Sequence, residues 1–173
     1  IVCPRNPKDV LTSLHFFRGE PKDGWLGNEH GPGSLARFLA EDSPNAYGSA
    51  FTWIKEMDAV VAAMQPTGRV LAVYYEDLVR CLPAQVDRIA AFLGQSLTPA
   101  KRSAVLDGVS FDSMRSGGGM ASVLLRKGGV GDWKNHLDAD KWAEFDAVFE
   151  ERLGSCALAE PLRCHQQWQV GGL

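Results

Sequence analysis

The sequence predicts an α/β fold organised on a parallel sheet, and three observations carry that reading. Residues Arg69-Val70-Leu71-Ala72-Val73-Tyr74-Tyr75 form a near-continuous apolar run, the pattern of a strand buried on both faces of a parallel sheet. Ile1-Val2-Cys3 reads as the end of a second strand that turns sharply into a helix. The long stretch between them carries helical periodicity, as a crossover between parallel strands requires. Two parallel strands do not make a stable open sheet, so further strands are expected from residues preceding Ile1.

Taken in order, the first helix is expected from near Pro7 to Phe17. Asn6 is its N-cap, Pro7 takes the first helical position and Asp9 lies in the first turn, while Val10, Leu14 and Phe17 share one apolar face. A polar loop rich in Gly and Pro, Gly19 to Pro44, follows and offers a lid. A longer helix from about Tyr47 to Met64 repeats Ile54, Met57, Val61 and Met64 at helical spacing. After the strand, Pro83 to Leu93 forms a helix closed by Gly94, and Thr98-Pro99 caps another that stops at Gly108. Ser116 to Lys134 is expected to be irregular. The last clear helix, Asp138 to Leu153, buries Trp142, Phe145 and Phe149 and ends at Gly154. With no internal repeat and no clear linker, residues 1–173 read as a single domain.

Two segments concentrate chemistry. In Arg126-Lys127-Gly128-Gly129-Val130-Gly131-Asp132-Trp133-Lys134, two cations and three glycines sit together beyond Gly117-Gly118-Gly119. Arg126 offers a planar fork of donors, Lys127 a mobile point charge, and glycines let backbone N–H groups approach an anion closely. Taken alone, the run equally fits a solvated Gly-rich loop with incidental cations. In Ile1 to Ser13, Arg5 stands at the mouth of a capped helix, where anions bind, and Ser13 projects from the same helix two turns after Asn6. An ordinary βα junction has the same ingredients.

Taken together, the two segments resemble the cytosolic-type sulfotransferase family. Its nucleotide signature is an R-K-G-x-x-G-D-W-K run, met by Arg126 to Lys134 and continued by Asn135; its 3′-phosphate signature is an Arg followed eight residues later by Ser in an R-N-P-K-D context, met by Arg5 and Ser13. Tyr75-Glu76-Asp77 resembles the family's Y-E-D at a strand end, Ser110-Phe111 and Met114 its T-S-F-x-x-M element, and Tyr47-Gly48-Ser49 its Y-G-S helix start. The resemblance runs from Ile1 to about Leu158.

The resemblance implies a three-layer αβα fold related to the P-loop nucleotide hydrolases, incomplete at its N-terminus. It also implies transfer of a sulfuryl group from 3′-phosphoadenosine 5′-phosphosulfate to a hydroxyl or amine of a small molecule. On it, the cofactor-binding set is Arg5, Ser13, Tyr75, Ser110, Phe111, Arg126, Lys127 and Gly128, with Tyr75 on the adenine side. Arg5, Ser13, Arg126, Lys127 and Gly128 form the clamp that reads the 3′-phosphate. The family's phosphosulfate loop and its general-base His precede the Arg-Ser segment, so no catalytic residue is expected within these residues, and the chain as given is expected to be inactive.

Two departures stand out. Val109 replaces the family's usual Thr, leaving Ser110 as the hydroxyl of that element. The dimer motif K-x-x-x-T-V-x-x-x-E keeps Lys134 but has Asp138, Ala139 and Ala143 in the other places, which puts the family's dimer in doubt.

Composition fits this reading. With 173 residues, 45% of them apolar and 23% charged, the chain can bury one core. A net charge of −3 argues against a general nucleic-acid binder and assigns the cations to a small anion. No apolar run approaches the roughly 20 residues needed to span a bilayer, and no secretory leader is read, so a cytoplasmic location without membrane attachment is expected. Cys3, Cys81, Cys156 and Cys164 lack any C-x-x-C pair and read as free thiols; no metal is expected.

His15 reads as a packing or surface residue, and His30, His136 and His165 show no partner in the sequence. Trp133 reads as a packing anchor, and Glu76-Asp77 as a turn with a local ion pair. Two other functions stay open at this point: a non-catalytic protein that binds 3′-phosphonucleotides, and a nucleotide kinase of related fold. The kinase lacks its Walker A run within these residues.

Overall fold

The computed structural model describes residues 1–17, 35–39, 49–117, 127–136 and 139–166. The chain divides into two compact units, one made of Ile1–Cys3 with Leu71–Val130 and the other of Pro4–Val70 with Gly131–Leu173.

In the first unit, Val2 and Ala72 form an isolated parallel bridge. Val2 donates its N–H to the Leu71 carbonyl at 2.9 Å and accepts from the Val73 N–H at 2.9 Å. The expected strand Arg69–Tyr75 is therefore corrected: among the described residues the ladder stops at this one bridge. Its next rung would need an N–H from residue 4, and Pro4 has none. On the other side Tyr74 already adopts the cap position of a helix, and Tyr75, expected at a strand end, is the first residue of the helix Tyr75–Arg80.

The rest of this unit is a run of short helices: α4 (Tyr75–Arg80), α5 (Leu82–Phe92), α6 (Pro99–Gly108) and α7 (Phe111–Ser116). Gly94 closes α5 in the left-handed region at φ 67°, and the Thr98 side chain accepts from Lys101 N–H to cap α6, as the sequence indicates. The helix α7 was not anticipated. Ser110 starts it, its hydroxyl accepting the Ser113 N–H at 3.2 Å and donating to the Asp107 carbonyl at 3.0 Å.

The second unit packs α1 (Pro7–Phe17), α2 (Leu35–Leu39), α3 (Ala50–Met64) and α8 (Ala139–Leu153), with the 3₁₀ turns Gln65–Thr67, Asp132–Asn135 and Ala157–Leu162 and the closing α9 (Arg163–Gln166). Its core is aromatic. Phe38, Phe51 and Phe145 lie 5.5–6.0 Å apart ring to ring, Trp142 meets Phe145 edge-on at 5.5 Å, and Trp133 meets Trp142 edge-on at 5.2 Å. Trp142, Phe145 and Phe149 of α8 are buried as expected.

The buried face of α1 is not the expected one. Lys8, Leu11, Thr12 and His15 are buried, Val10 and Leu14 are half-buried, and Phe17 is 49% exposed. Spacings of three and four residues make Lys8, Leu11, Thr12 and His15 one helical stripe, but three of these four are polar. Part of the stretch expected to be a lid is also core: α2 lies inside it and buries Leu35, Phe38 and Leu39. Ser49 caps α3 through the Thr52 N–H, while Tyr47 and Gly48 lie outside the described residues. Beyond Leu158 the chain continues to pack. Asp58 accepts the Leu158 N–H at 2.7 Å, and Leu158, Ala159 and Leu162 are buried. Among the described residues no helix is long and apolar enough to cross a membrane.

Candidate nucleotide-binding site

On α1, the cap forms as the sequence indicates. The Asn6 side-chain oxygen accepts the Lys8 N–H at 2.9 Å, and its amide donates to the His165 carbonyl at 2.9 Å, which ties the helix start to the end of the described chain. Arg5, one residue before the cap, is half-buried, as is Ser13 two turns along; both leave part of the side chain to solvent. An 11-residue helix of this kind carries a partial positive charge at its start, where Pro7 has no N–H and the Lys8 N–H is already taken by Asn6.

The next two residues grip the Gly-Asp-Trp turn. The Asp9 carboxylate, 2% exposed, accepts the Gly131 N–H at 2.7 Å and the Trp133 N–H at 3.3 Å. Lys8 is wholly buried, with its ammonium 2.7 Å from Asp146 Oδ1 and above the Trp133 ring at 4.2 Å from its centre. Desolvation pushes the Lys8 pKa below its ordinary value, the Asp146 hydrogen bond and charge oppose that shift, and Lys134 adds to it.

These roles are missed in the sequence, where Asp9 reads only as a first-turn acid and Lys8 has no role of its own. The contacts of Asp9 with Gly131 and Trp133 span 122 and 124 residues, a separation at which spacing carries no pairing signal. Trp133, fully buried, is the packing anchor expected of it. His15 is also buried, its ring edge-on to Phe16 at 5.2 Å. His136, with no partner visible in the sequence, places Nε2 3.0 Å from Asp132 Oδ2 and its ring 4.9 Å from that of Phe16. The four-residue spacing of Asp132 and His136 was the available signal.

Around Gly128, in the other unit, two of the residues singled out from the sequence meet. Gly128 has φ +63°, and a Cβ there would come within 2.8 Å of Phe111 Cγ and closer still to Cδ2 and Cε2. The residue must be Gly both for its backbone conformation and for its contact with the ring. Lys127 beside it is exposed. Ser110, next to Phe111, uses its hydroxyl as the cap of α7. Tyr75 opens α4 half-buried, and Glu76 is buried in that helix rather than lying in a turn. Arg126 lies outside the described residues. All four cysteines are free, Cys156 buried and the others exposed. Among the described residues no group of His, Cys, Asp and Glu is arranged to hold a metal ion.

Each unit by itself holds elements suited to an anion: in one, Arg5 just before a capped helix and Ser13 on it; in the other, a left-handed glycine preceded by an exposed lysine. A model of the sulfotransferase domain matches residues 1–157. The 3-alpha-hydroxysteroid sulfotransferase of Cavia porcellus is 30% identical over 168 residues, covering 88% of this chain and 55% of that protein. Cytosolic sulfotransferase 1 of Danio rerio is 31% identical over 174 aligned positions, covering 91% and 54%. The chain therefore spans about half the length of these relatives. The crystal structure of mouse sulfotransferase SULT7A1 complexed with PAP superimposes with a TM-score of 0.77 at 26% identity, covering 94% of this chain and 61% of that one.

Proposed function

The chain belongs to the sulfotransferase family, and from that premise we propose that its residues hold the nucleotide of an enzyme that transfers a sulfuryl group from 3′-phosphoadenosine 5′-phosphosulfate to a hydroxyl or amine of a small molecule. The observation that carries this reading is the unbroken Arg126–Lys134 run, together with Arg5 just before a capped helix and Ser13 on it. The PAP complex of SULT7A1 supports the nucleotide class.

The residues present fit such a ligand. Arg5 and Ser13 bind 3′-phosphate oxygens at the positive end of α1, the guanidinium as a two-pronged donor and the hydroxyl as a single one. Arg126 and Lys127 add positive charge, and Gly128 brings its backbone N–H within reach of an oxygen. Phe111 and Tyr75 serve the adenine side. When bound, the nucleotide supplies an activated sulfuryl group, and in-line transfer asks the protein mainly for positioning and for cations near the leaving oxygens.

The same premise extends to architecture and location. Residues 1–173 form a portion of one sulfotransferase domain, and the Val2–Ala72 bridge belongs to the parallel sheet of a three-layer αβα arrangement related to the P-loop nucleotide hydrolases. A cytoplasmic location is supported by the name of the Danio rerio relative.

The test is calorimetric titration of the chain and its Arg126→Ala variant with 3′,5′-bisphosphoadenosine and with 5′-AMP. Loss of one charge-assisted contact, about 1.5 to 3 kcal/mol, should weaken 3′,5′-bisphosphoadenosine roughly 10- to 150-fold. Binding of 5′-AMP should barely change. Equal losses for the two nucleotides reject the 3′-phosphate assignment.

A further inference from the structure

Asn6 is wholly buried, and both ends of its side-chain amide are engaged. Its main-chain carbonyl accepts the Val10 N–H at 3.0 Å and its side-chain oxygen the Lys8 N–H at 2.9 Å, which makes it the cap of α1. Ser, Thr or Asp would cap as well. What none of them offers is an NH₂ beside the capping oxygen, and in Asn6 that group donates to the His165 carbonyl at 2.9 Å, 159 residues along the chain. The segment that carries this carbonyl is anchored independently of α1. Asp58 of α3 accepts the Leu158 N–H at 2.7 Å, and Leu158, Ala159 and Leu162 are buried. The Arg163 guanidinium reaches the Gly154 carbonyl at 2.9 Å and the carboxylates of Glu150 and Glu160 at 3.1 and 2.7 Å. These anchors follow the residues matched by the sulfotransferase domain model, which end at 157.

We propose that Asn6 is a positioning residue for 3′-phosphate recognition and that residues 158–165 are the strap that fixes it. The proposal rests on the clamp reading above. Arg5 immediately precedes Asn6, and Ser13 follows two turns along α1, so the point from which both are presented is the point where the strap ends. Arg5, Asn6, Ser13 and the strap all belong to one compact unit. A cap bond is local and turns with its helix. A second bond, to a distant segment, fixes the helix start against the rest of the unit and so lowers the ordering cost that phosphate binding would otherwise bear.

The test uses Asn6→Ser, which keeps a capping oxygen and lacks the amide donor, and Arg163→Ala, which loosens the strap without touching α1. In titrations of the whole chain, Asn6→Ser should lower the preference for 3′,5′-bisphosphoadenosine over 5′-AMP about 5-fold, within the span of one neutral hydrogen bond. Arg163→Ala should lower it about 2- to 3-fold, as expected for partly exposed ion pairs. The double variant should lose no more than Asn6→Ser alone, because both changes act through one tie. If Asn6 were a helix cap and nothing more, Asn6→Ser would leave the preference unchanged. That result overturns the proposal, as does additive loss in the double variant. Where Asn6→Ser does not fold, Arg163→Ala decides by itself, an unchanged preference overturning the proposal. Arg5→Ala separates the two readings. If it leaves the preference intact, the clamp reading fails and takes the proposal with it; loss in Arg5→Ala with none in Asn6→Ser rejects the strap alone.

Discussion

The Lys8 ammonium, which has no exposed surface, lies 2.7 Å from a carboxylate oxygen of Asp146, whose side chain is 44% exposed. One partner bears almost all of the desolvation, so the two should respond differently to mutation. Removing Asp146 strands a buried charge, and Asp146→Ala should cost about 3 kcal/mol in chemical denaturation, the lower end for a broken buried pair because the carboxylate is partly solvated. Lys8→Met removes the buried charge and keeps an unbranched chain against Trp133, and should lie within about 1 kcal/mol of wild type.

The pair also sets a pH dependence. Burial lowers the folded-state pKa of Lys8 from 10.5, so near and below that value the unfolded chain holds more protons than the folded one. Stability from this group therefore rises with pH through the window that ends at 10.5, and the rise should be steeper in Asp146→Ala, where the opposing hydrogen bond is gone. Denaturation midpoints measured from pH 7 to 10.5 check the sign; a steeper fall in the variant would refute the desolvation argument.

What could be read in the sequence was what local chemistry dictates. Asn6, Thr98 and Gly94 mark helix ends because caps are made by neighbours in the chain, and the α8 aromatics announce their buried face through spacing. The buried face of α1 differs from the expected one because apolar spacing gives no weight to Lys8, whose partners Asp146 and Trp133 come from distant segments. The strand Arg69–Tyr75 was over-extended for a related reason. An apolar run shows that burial is wanted, whereas pairing depends on the opposite chain, and there Pro4 withholds the donor. Of the candidate site, the residues proposed to meet an anion are legible as a pattern; Asp9, which accepts from backbone over 120 residues away, has no local mark.

Gly128 and Phe111 should behave as one unit. Gly128→Ala meets both a left-handed φ and the Phe111 ring, and should cost about 1 to 3 kcal/mol locally together with nucleotide affinity. Phe111→Leu removes the flat ring and should recover part of that loss, so the double variant should be less damaged than the sum of the singles by at least about 0.5 kcal/mol. A double-mutant cycle measured by denaturation checks this. Simple additivity would mean that the contact carries no energy.

Thiol reactivity should divide by burial. Burial raises the Cys156 pKa, and the Asp58 charge raises it further, with Lys55 opposing; Cys3, Cys81 and Cys164 are exposed. At pH 8 iodoacetamide should therefore modify the three exposed cysteines quickly in native protein and Cys156 only after denaturation. Peptide mass spectrometry over time reads the order, and early labelling of Cys156 would contradict the packing of the 3₁₀ turn that starts beside it.

Ser110 bears two readings that a single substitution cannot separate, since its hydroxyl caps α7 and the family resemblance places it beside the nucleotide. Three substitutions separate them. Ser110→Ala removes the acceptor and should destabilise by about 1 kcal/mol. Ser110→Asn and Ser110→Asp both restore the cap, because each offers an oxygen to the Ser113 N–H, and Asp adds a favourable charge at the helix start. Stability should thus return with either. Nucleotide affinity should separate them, because a carboxylate beside a phosphorylated ligand repels it whereas a neutral amide does not. The expected pattern is near-native stability in both, with affinity for 3′,5′-bisphosphoadenosine weakened about 10-fold or more in Ser110→Asp relative to Ser110→Asn. Equal affinity in the two would show that Ser110 serves the helix alone and removes it from the nucleotide-binding set.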